Sequence, residues 1–422
     1  MKQTKIFYGW WIVLVAFLSI AITYGTKGVF GIVQLAMLED LHWNRATIAG
    51  ALSANMLVYA IAAPMVGRLM DKVGVKNTLI IGSLLTGLAY ILVTTINSPL
   101  QFYIYYGILL GLAGTGMGMI PGPTAVSRWF IKKRGRALSL AIVGSPLGTA
   151  IFTFLAKDWL NTMGWKGTFK IMAILSWVLV IIPTFFLMRT SPEEMGMLPD
   201  GETSPVTTSG TAKKNIVTVY DNEEEWSLSK LLTSPKAWGL FLAYFFMAGN
   251  GWMQQVHQVP HLILLGLNKD VATNVLGINM FLAVISMLIW PSISDFMQRR
   301  TALIISLILQ IVGSLLLLNA RTLTLTYLFV VVMGLSYMGC YGLFSAMAAD
   351  LFGRRSLGTV NGIMATAGAA GAAFGIYFGG WIYDITHSYS LLWEIGIIGL
   401  VIAIGLAVAM GRKAGQQTSL QA

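Results

Sequence analysis

The sequence predicts an all-α membrane protein with twelve transmembrane helices, arranged as two parallel six-helix repeats. Three observations predict it. The 422 residues are 56% hydrophobic and only 11% charged, with a mean hydropathy of +0.72, too apolar for a soluble chain of this size. Twelve stretches reach the roughly 20 apolar residues that a spanning helix needs, and in lipid only a helix satisfies its own backbone groups. Landmarks in the first half of the chain recur in the second.

The opening MKQTKIFYGWWIV is basic, then apolar. It has no small-residue cleavage site and its apolar run outlasts a signal-peptide core, so it reads as a retained first helix over 8–38. Helix two, 45–67, is interrupted by Asn55 and followed by GRLMDKVG at 67–74. Helices three and four, 78–97 and 101–127, lead to the basic exit SRWFIKKRGRA. Helix five, 137–157, carries Gly144, Pro146 and Gly148, small residues that let helices approach closely. Helix six covers 168–188. The polar stretch 189–235, with PDGETSPVTTSG and DNEEE, separates an N-terminal half, 1–188, from a C-terminal half, 236–422. Its composition suits a flexible cytoplasmic connector in which EEWSLSKLLTSP forms a short surface helix. Helix seven, 236–262, bears Asn250, Gln254, His257 and His261 at i, i+4, i+7 and i+11, one polar stripe. Helix eight, 272–294, puts Ser286 and Trp290 on one face. Helix nine is 301–318, and helix ten, 322–349, places Tyr337 and Tyr341 one turn apart and exits through LFGRRSLG. Helix eleven, 358–383, carries Gly368, Gly371 and Gly375, and helix twelve runs over 390–411.

The repeat shows in two spacings. PSISDFMQRR after helix eight is a degenerate copy of GRLMDKVG, with Asp71 and Asp295 224 positions apart. WGLF at 238–241 follows YGWW at 8–11 by 230 positions, a spacing that pairs Lys27 with His257, each 19 residues beyond its aromatic marker. The net charge of +11 is a topology signal and not a nucleic-acid surface. With the N-terminus inside, 21 of the 28 Lys and Arg fall on the inner side, 6 on the outer side, and Lys27 within the apolar interior. Both termini are therefore expected to be cytoplasmic, with the chain multi-pass in the cytoplasmic (inner) membrane. The single cysteine, Cys340, lies in an apolar helix and excludes a disulfide framework or a Cys-based metal site. No H-E-x-x-H, G-x-S-x-G, P-loop or carboxylate pair at membrane depth is present, so no enzyme activity, cofactor, catalytic residue or metal site is expected.

Parallel repeats of this kind place a substrate site near the midplane between halves that rock. The turn after helix two, with Gly67, Asp71, Lys72, Gly74 and Lys76, resembles the hallmark of the major facilitator superfamily. The resemblance implies that Asp71 latches the cytoplasmic gate near the start of helix eleven around Gly358. YGWW, LEDLHWNRATIAGALS, RGRALSLA, SPEEMGMLPDG and HQVPHLILLGL, in that order over both halves, resemble the monocarboxylate transporter family, whose bacterial branch includes lactate transporters and the oxalate:formate antiporter. That resemblance implies a substrate-gripping arginine, preceded by an acid, in helix eight. Those positions here are Trp290 and Ser286, and 358–383 holds no Lys or Arg, so a dianion clamped by two cations is not expected.

Lys27 remains. At ~1.5 Å per residue it lies too deep in helix one for easy escape to either surface, and a charge at that depth costs at least ~2.5–3.5 kcal/mol. Snorkelling, a buried acidic partner or a cavity that binds an anion would compensate. With the acids confined to loops and helix ends, the cavity leads. The resemblance also implies a helix-one lysine that takes part in proton and substrate binding. The expected substrate-binding residues are Lys27, Tyr24, Asn55, Gln254, His257, Ser286, Trp290, Tyr337 and Tyr341, with His257 and Lys27 as proton-coupling candidates and Gly67, Asp71, Lys72 and Gly74 as the gating motif. The function expected is secondary transport of a small organic monoanion such as lactate or pyruvate by a monomeric unit, through proton symport or anion exchange. The alternatives are efflux of amphipathic drug-like compounds, or a membrane sensor with a transporter-like body.

Overall fold

A computed structural model describes residues 7–131, 133–201, 226–353 and 356–410. The described residues hold helices and turns and no strand. They fall into two compact units, Met1–Thr207 and Thr208–Ala422.

In the N-terminal unit, α1 (Gly9–Gly28) and α2 (Phe30–Leu41) meet at Val29, so the expected first span is two helices. α3 (Arg45–Val73) starts at Asn44, whose side chain accepts from the Thr47 N–H at 2.7 Å. It ends at Gly74, where φ is +83° and a side chain would be strained. Gly67, Asp71 and Lys72 therefore belong to the last turns of a helix and not to a loop, with Asp71 and Lys72 exposed. α4 is Val75–Val93. The expected fourth span is divided: α5 (Pro99–Phe102), a π-helical stretch Tyr103–Leu109 and α6 (Leu110–Thr115) run together, then the chain breaks before α7 (Pro121–Trp129). α8 (Arg134–Ile142) leads into α9 (Gly144–Ser176), which turns at Gly164, φ +66°, and a π-helical stretch Trp177–Ile181 joins it to α10 (Ile182–Leu187).

In the C-terminal unit, α11 (Leu228–Thr233) is the short helix expected within EEWSLSKLLTSP; the DNEEE run and most of the Ser/Thr cluster lie outside the described residues. α12 (Pro235–Leu264), α13 (Lys269–Phe296), α14 (Arg299–Leu318), α15 (Leu323–Gly334), α16 (Gly339–Phe352), α17 (Leu357–Thr386) and α18 (Ser390–Ala409) follow. Among the described residues nine helices are long and apolar enough to cross a membrane. The tally differs from twelve for physical reasons. Arg134–Leu187, 54 residues, is one of the nine and covers two expected spans. The fourth span is broken into pieces too short to count, and in α12 Asn250, Gln254, Gln255, His257, Gln258 and His261 dilute the apolar run.

The repeat is legible in contacts. A Cβ on Gly111 would lie 3.0 Å from the Asn55 carbonyl, and one on Gly334 3.0 Å from the Asn279 carbonyl. A Cβ on Gly25 would lie 2.9 Å from the Gly148 carbonyl, and one on Gly249 2.9 Å from the Gly371 carbonyl. The Lys76 ammonium donates to the Phe185 carbonyl at 2.8 Å, and the Arg300 guanidinium to the Val408 carbonyl, each cation completing a helix C-terminus. Every pair is related by a shift of 223 or 224 positions. The 230-residue spacing of the aromatic markers is thus out of phase by six residues, more than a turn and a half of helix. Lys27 corresponds to Gly251, and its pairing with His257 is corrected.

Candidate functional site

Lys27 sits in the last turn of α1 and is 3% exposed. Its Nζ lies 4.9 Å from the centre of the Tyr59 ring on α3, a cation–π geometry. The Tyr59 hydroxyl is hydrogen-bonded to Tyr24 and to the backbone of Met119. Gly114 faces the amine closely: a Cβ there would lie 3.4 Å from Nζ and 3.8 Å from the Thr23 methyl. Among the described residues no carboxylate reaches ion-pair distance of Lys27.

Gly114 belongs to the carbonyl end of the helix running from Pro99 to Thr115, and the sequence GTGMGMIPGP shows why it stops there. Gly116 and Gly118 disfavour helix, while Pro121 and Pro123 lack the N–H groups needed to continue it and favour a new start. The Gly116 and Met117 amides close a tighter turn on Ala113 and Gly114, and Ser19 donates to the Met117 carbonyl. The ammonium thus lies by a helix C-terminus, worth about 0.3–1 kcal/mol. Together with a ring face at about 0.5–2 kcal/mol, this falls short of a full ionic partner. Tyr59, Gly114 and the break escaped the sequence reading.

The C-terminal counterpart inverts the arrangement. Gly251, equivalent to Lys27, leaves room that the Tyr337 ring fills, while Gly114 stands at the equivalent of Tyr337. Tyr337 is 2% exposed and shares a hydroxyl–hydroxyl hydrogen bond of 2.9 Å with Tyr341. Tyr244 meets Tyr341 edge-on at 5.7 Å.

The remaining expected ligands are engaged between helices. Ser286 and Trp290 flank the break between α15 and α16. The Gly339 N–H donates to the Ser286 hydroxyl at 3.0 Å, and the Trp290 indole donates to the Leu335 carbonyl at 2.7 Å. These side chains satisfy backbone groups that a broken membrane helix would otherwise leave orphaned. Asn55 donates to the Tyr106 carbonyl at 2.8 Å, and Gln254 to Gln258 at 3.4 Å. The His257 Nε2 meets the Ile376 carbonyl of α17 at 2.9 Å, with its ring 5.3 Å from Tyr389. His257 is fully buried, and these partners belong to its own unit.

Trp290→Phe is expected to strip the Leu335 carbonyl of its donor at a cost of about 1–3 kcal/mol. The thermal-unfolding midpoint should fall while ligand affinity holds; an unchanged midpoint would refute the capping role.

The sequence matches the Major Facilitator Superfamily model over residues 15–268 and 240–420. It is 24% identical to monocarboxylate transporter 14 of Mus musculus over 94% of this chain and 90% of that protein. It is likewise 24% identical to monocarboxylate transporter 2 of Homo sapiens over 95% and 85%. Among solved structures, a bacterial homologue of the human lysosomal transporter Spinster, in an inward-facing and unoccupied conformation, aligns with a TM-score of 0.74 at 14% identity, covering 97% of each chain. A match across nearly the whole chain, on a fold of two repeated helical units, makes this protein a member of the Major Facilitator Superfamily, a multi-pass membrane carrier related to the monocarboxylate transporters and not an enzyme.

Proposed function

We propose that the carrier moves a small organic monoanion, a monocarboxylate such as lactate or pyruvate, across the cytoplasmic membrane by alternating access. The observation that carries this reading is Lys27, an ammonium 3% exposed whose surroundings supply a ring face and hydroxyls but no carboxylate among the described residues. A transported carboxylate completes the charge, and the Tyr24 and Tyr59 hydroxyls offer it hydrogen bonds. One ammonium suits one negative charge; α17 offers no second cation, since 358–383 contains neither Lys nor Arg. The names of the mouse and human relatives point to the same substrate class. In this reading the functional unit is a monomer, the basic loops and both termini face the cytoplasm, and Gly67, Asp71, Lys72 and Gly74 form the gate. Lys27 is the leading proton carrier if coupling is symport, with His257 held in reserve by its bond to α17.

Purified protein in liposomes should take up labelled lactate or pyruvate. Stimulation by an inward proton gradient identifies symport, and stimulation by internal anion without a gradient effect identifies exchange. Absence of both uptake and binding across a monocarboxylate panel would overturn the reading.

A further inference from the structure

The carrier reading leaves SPEEMGMLPDG, the segment after helix six, without a role. Its end is folded and tied down. Asp200 sits in a short 3₁₀ turn, Pro199–Gly201, with φ +61°, a conformation that costs most side chains roughly 1–2 kcal/mol and that glycine adopts freely. What the aspartate does there is visible: Oδ2 accepts the Ile131 N–H at 2.9 Å and Oδ1 the Lys133 N–H at 3.1 Å. Lys133 is the N-cap of α8, which has no side-chain cap of its own. The carboxylate of a distant segment thus serves as that helix's N-terminal anion, where negative charge is favoured.

The clasp continues inward. The Trp129 indole donates to the Arg189 carbonyl at 3.2 Å and the Tyr8 hydroxyl to the Leu187 carbonyl at 3.0 Å, while the Thr190 N–H donates to Glu194 at 3.0 Å. Met197 packs on the core formed by Trp129, Phe130 and Met188. A tie of opposite polarity, with the loop side chain as acceptor and the connector N–H as donor, occurs at the equivalent loop of the other unit. Shifted by 223 positions, Lys133 becomes Ser356, and the Ser356 hydroxyl accepts the Trp226 N–H at 2.7 Å. The Trp226 ring stands edge-on to Phe352 at 5.1 Å, and the Lys230 ammonium lies 4.6 Å above it.

We infer that Asp200 and Trp226 are positioning residues: the two ends of the connecting segment each clasp the loop ahead of helix five or helix eleven, so that loop and helix move as one body during transport. The inference rests on the carrier reading only for its transport consequence; the clasp itself is tested without substrate. Asp200→Gly relieves the backbone and deletes the grip, Asp200→Ala deletes the grip alone, and Asp200→Asn retains one good acceptor. Hydrogen exchange on the full-length protein should show the Ile131 and Lys133 amides exchanging at least tenfold faster in Asp200→Gly and Asp200→Ala, with Asp200→Asn between these and the parent. Ser356→Ala should do the same for the Trp226 amide. In liposomes, maximal uptake should fall severalfold in Asp200→Gly with KM little changed, and recover in part in Asp200→Asn. Unchanged exchange overturns the clasp whatever the substrate. Faster exchange with undiminished uptake overturns the positioning role, and a protein that fails to fold in Asp200→Gly is replaced by Asp200→Asn, for which parental exchange at both amides would be equally fatal.

Discussion

Lys27→Met is expected to abolish uptake while making the protein more stable. The two effects have one cause. The buried ammonium costs at least ~2.5–3.5 kcal/mol at bilayer depth, and its visible compensation, the Tyr59 ring at 4.9 Å and the carbonyl end of α6, returns only part. Methionine matches the stem and removes the charge, so the unfolding midpoint should rise by an amount corresponding to about 1 kcal/mol. Binding responds in the opposite sense. Deleting one partner of a buried charge pair costs about 3–5 kcal/mol, a loss of roughly 10²- to 4 × 10³-fold in affinity at about 1.4 kcal/mol per factor of ten. Thermal unfolding with and without a monocarboxylate reads both at once: the parent gains stability with ligand, the variant gains none and starts higher. Retained uptake, or a variant that melts lower, would make the lysine a packing element. Lys27→Arg is expected to rescue poorly, since a Cβ built on Gly114 would already lie 3.4 Å from Nζ and the larger guanidinium would press on that backbone.

The sequence made the apolar runs legible, and with them the helical membrane class, because a bilayer demands length and apolarity and little else. Lys27 was legible for the converse reason: a charge inside such a run is costly enough to need an explanation. The breaks in helices four and ten were harder to see. Hydropathy registers GTGMGMIPGP and GLSYMGCYG as merely apolar, although paired glycines with Pro121 and Pro123 are a signal for a stop and restart. Tyr59 was missed because an aromatic on a membrane helix is usually packing, and only the fold brings its ring over Nζ. The family resemblance sets Ser286 and Trp290 at the substrate-gripping positions of helix eight. In the structure they cap Gly339 and Leu335, a role that depends on the break and so could not be read before it. The pairing of Lys27 with His257 failed through phase: six residues rotate a helix face by about 240° at 3.6 residues per turn, so the two side chains do not occupy equivalent faces.

Gly371→Ala is expected to be among the most damaging single-methyl additions in the C-terminal unit. The new Cβ would meet the Phe245 carbonyl oxygen, with its carbon at 3.0 Å and Cα at 3.2 Å, all backbone that cannot swing aside. Reciprocally, a Cβ built on Gly249 would lie 2.9 Å from the Gly371 carbonyl, so α12 and α17 approach main chain to main chain here. To admit a methyl the two 30-residue helices must separate, at a cost near the upper end of overpacking, about 3 kcal/mol. The repeat supplies an internal control. Gly148 stands against the Ala21 backbone in the same way, so Gly148→Ala should lower the melting midpoint of detergent-solubilised protein by a comparable amount. Gly405, with nothing within 4 Å of its would-be Cβ, should accept alanine with no loss or a gain of up to about 1 kcal/mol in helix propensity. If all three variants melted alike, close helix approach would not be holding either unit together, and the equivalence of Gly148 with Gly371 would lose its energetic meaning. If the first two fall together while Gly405→Ala holds, the shift of 223 positions marks a repeat conserved in packing and not only in outline, and it is that register which sets Lys27 opposite Gly114 in one unit and Gly251 beneath Tyr337 in the other.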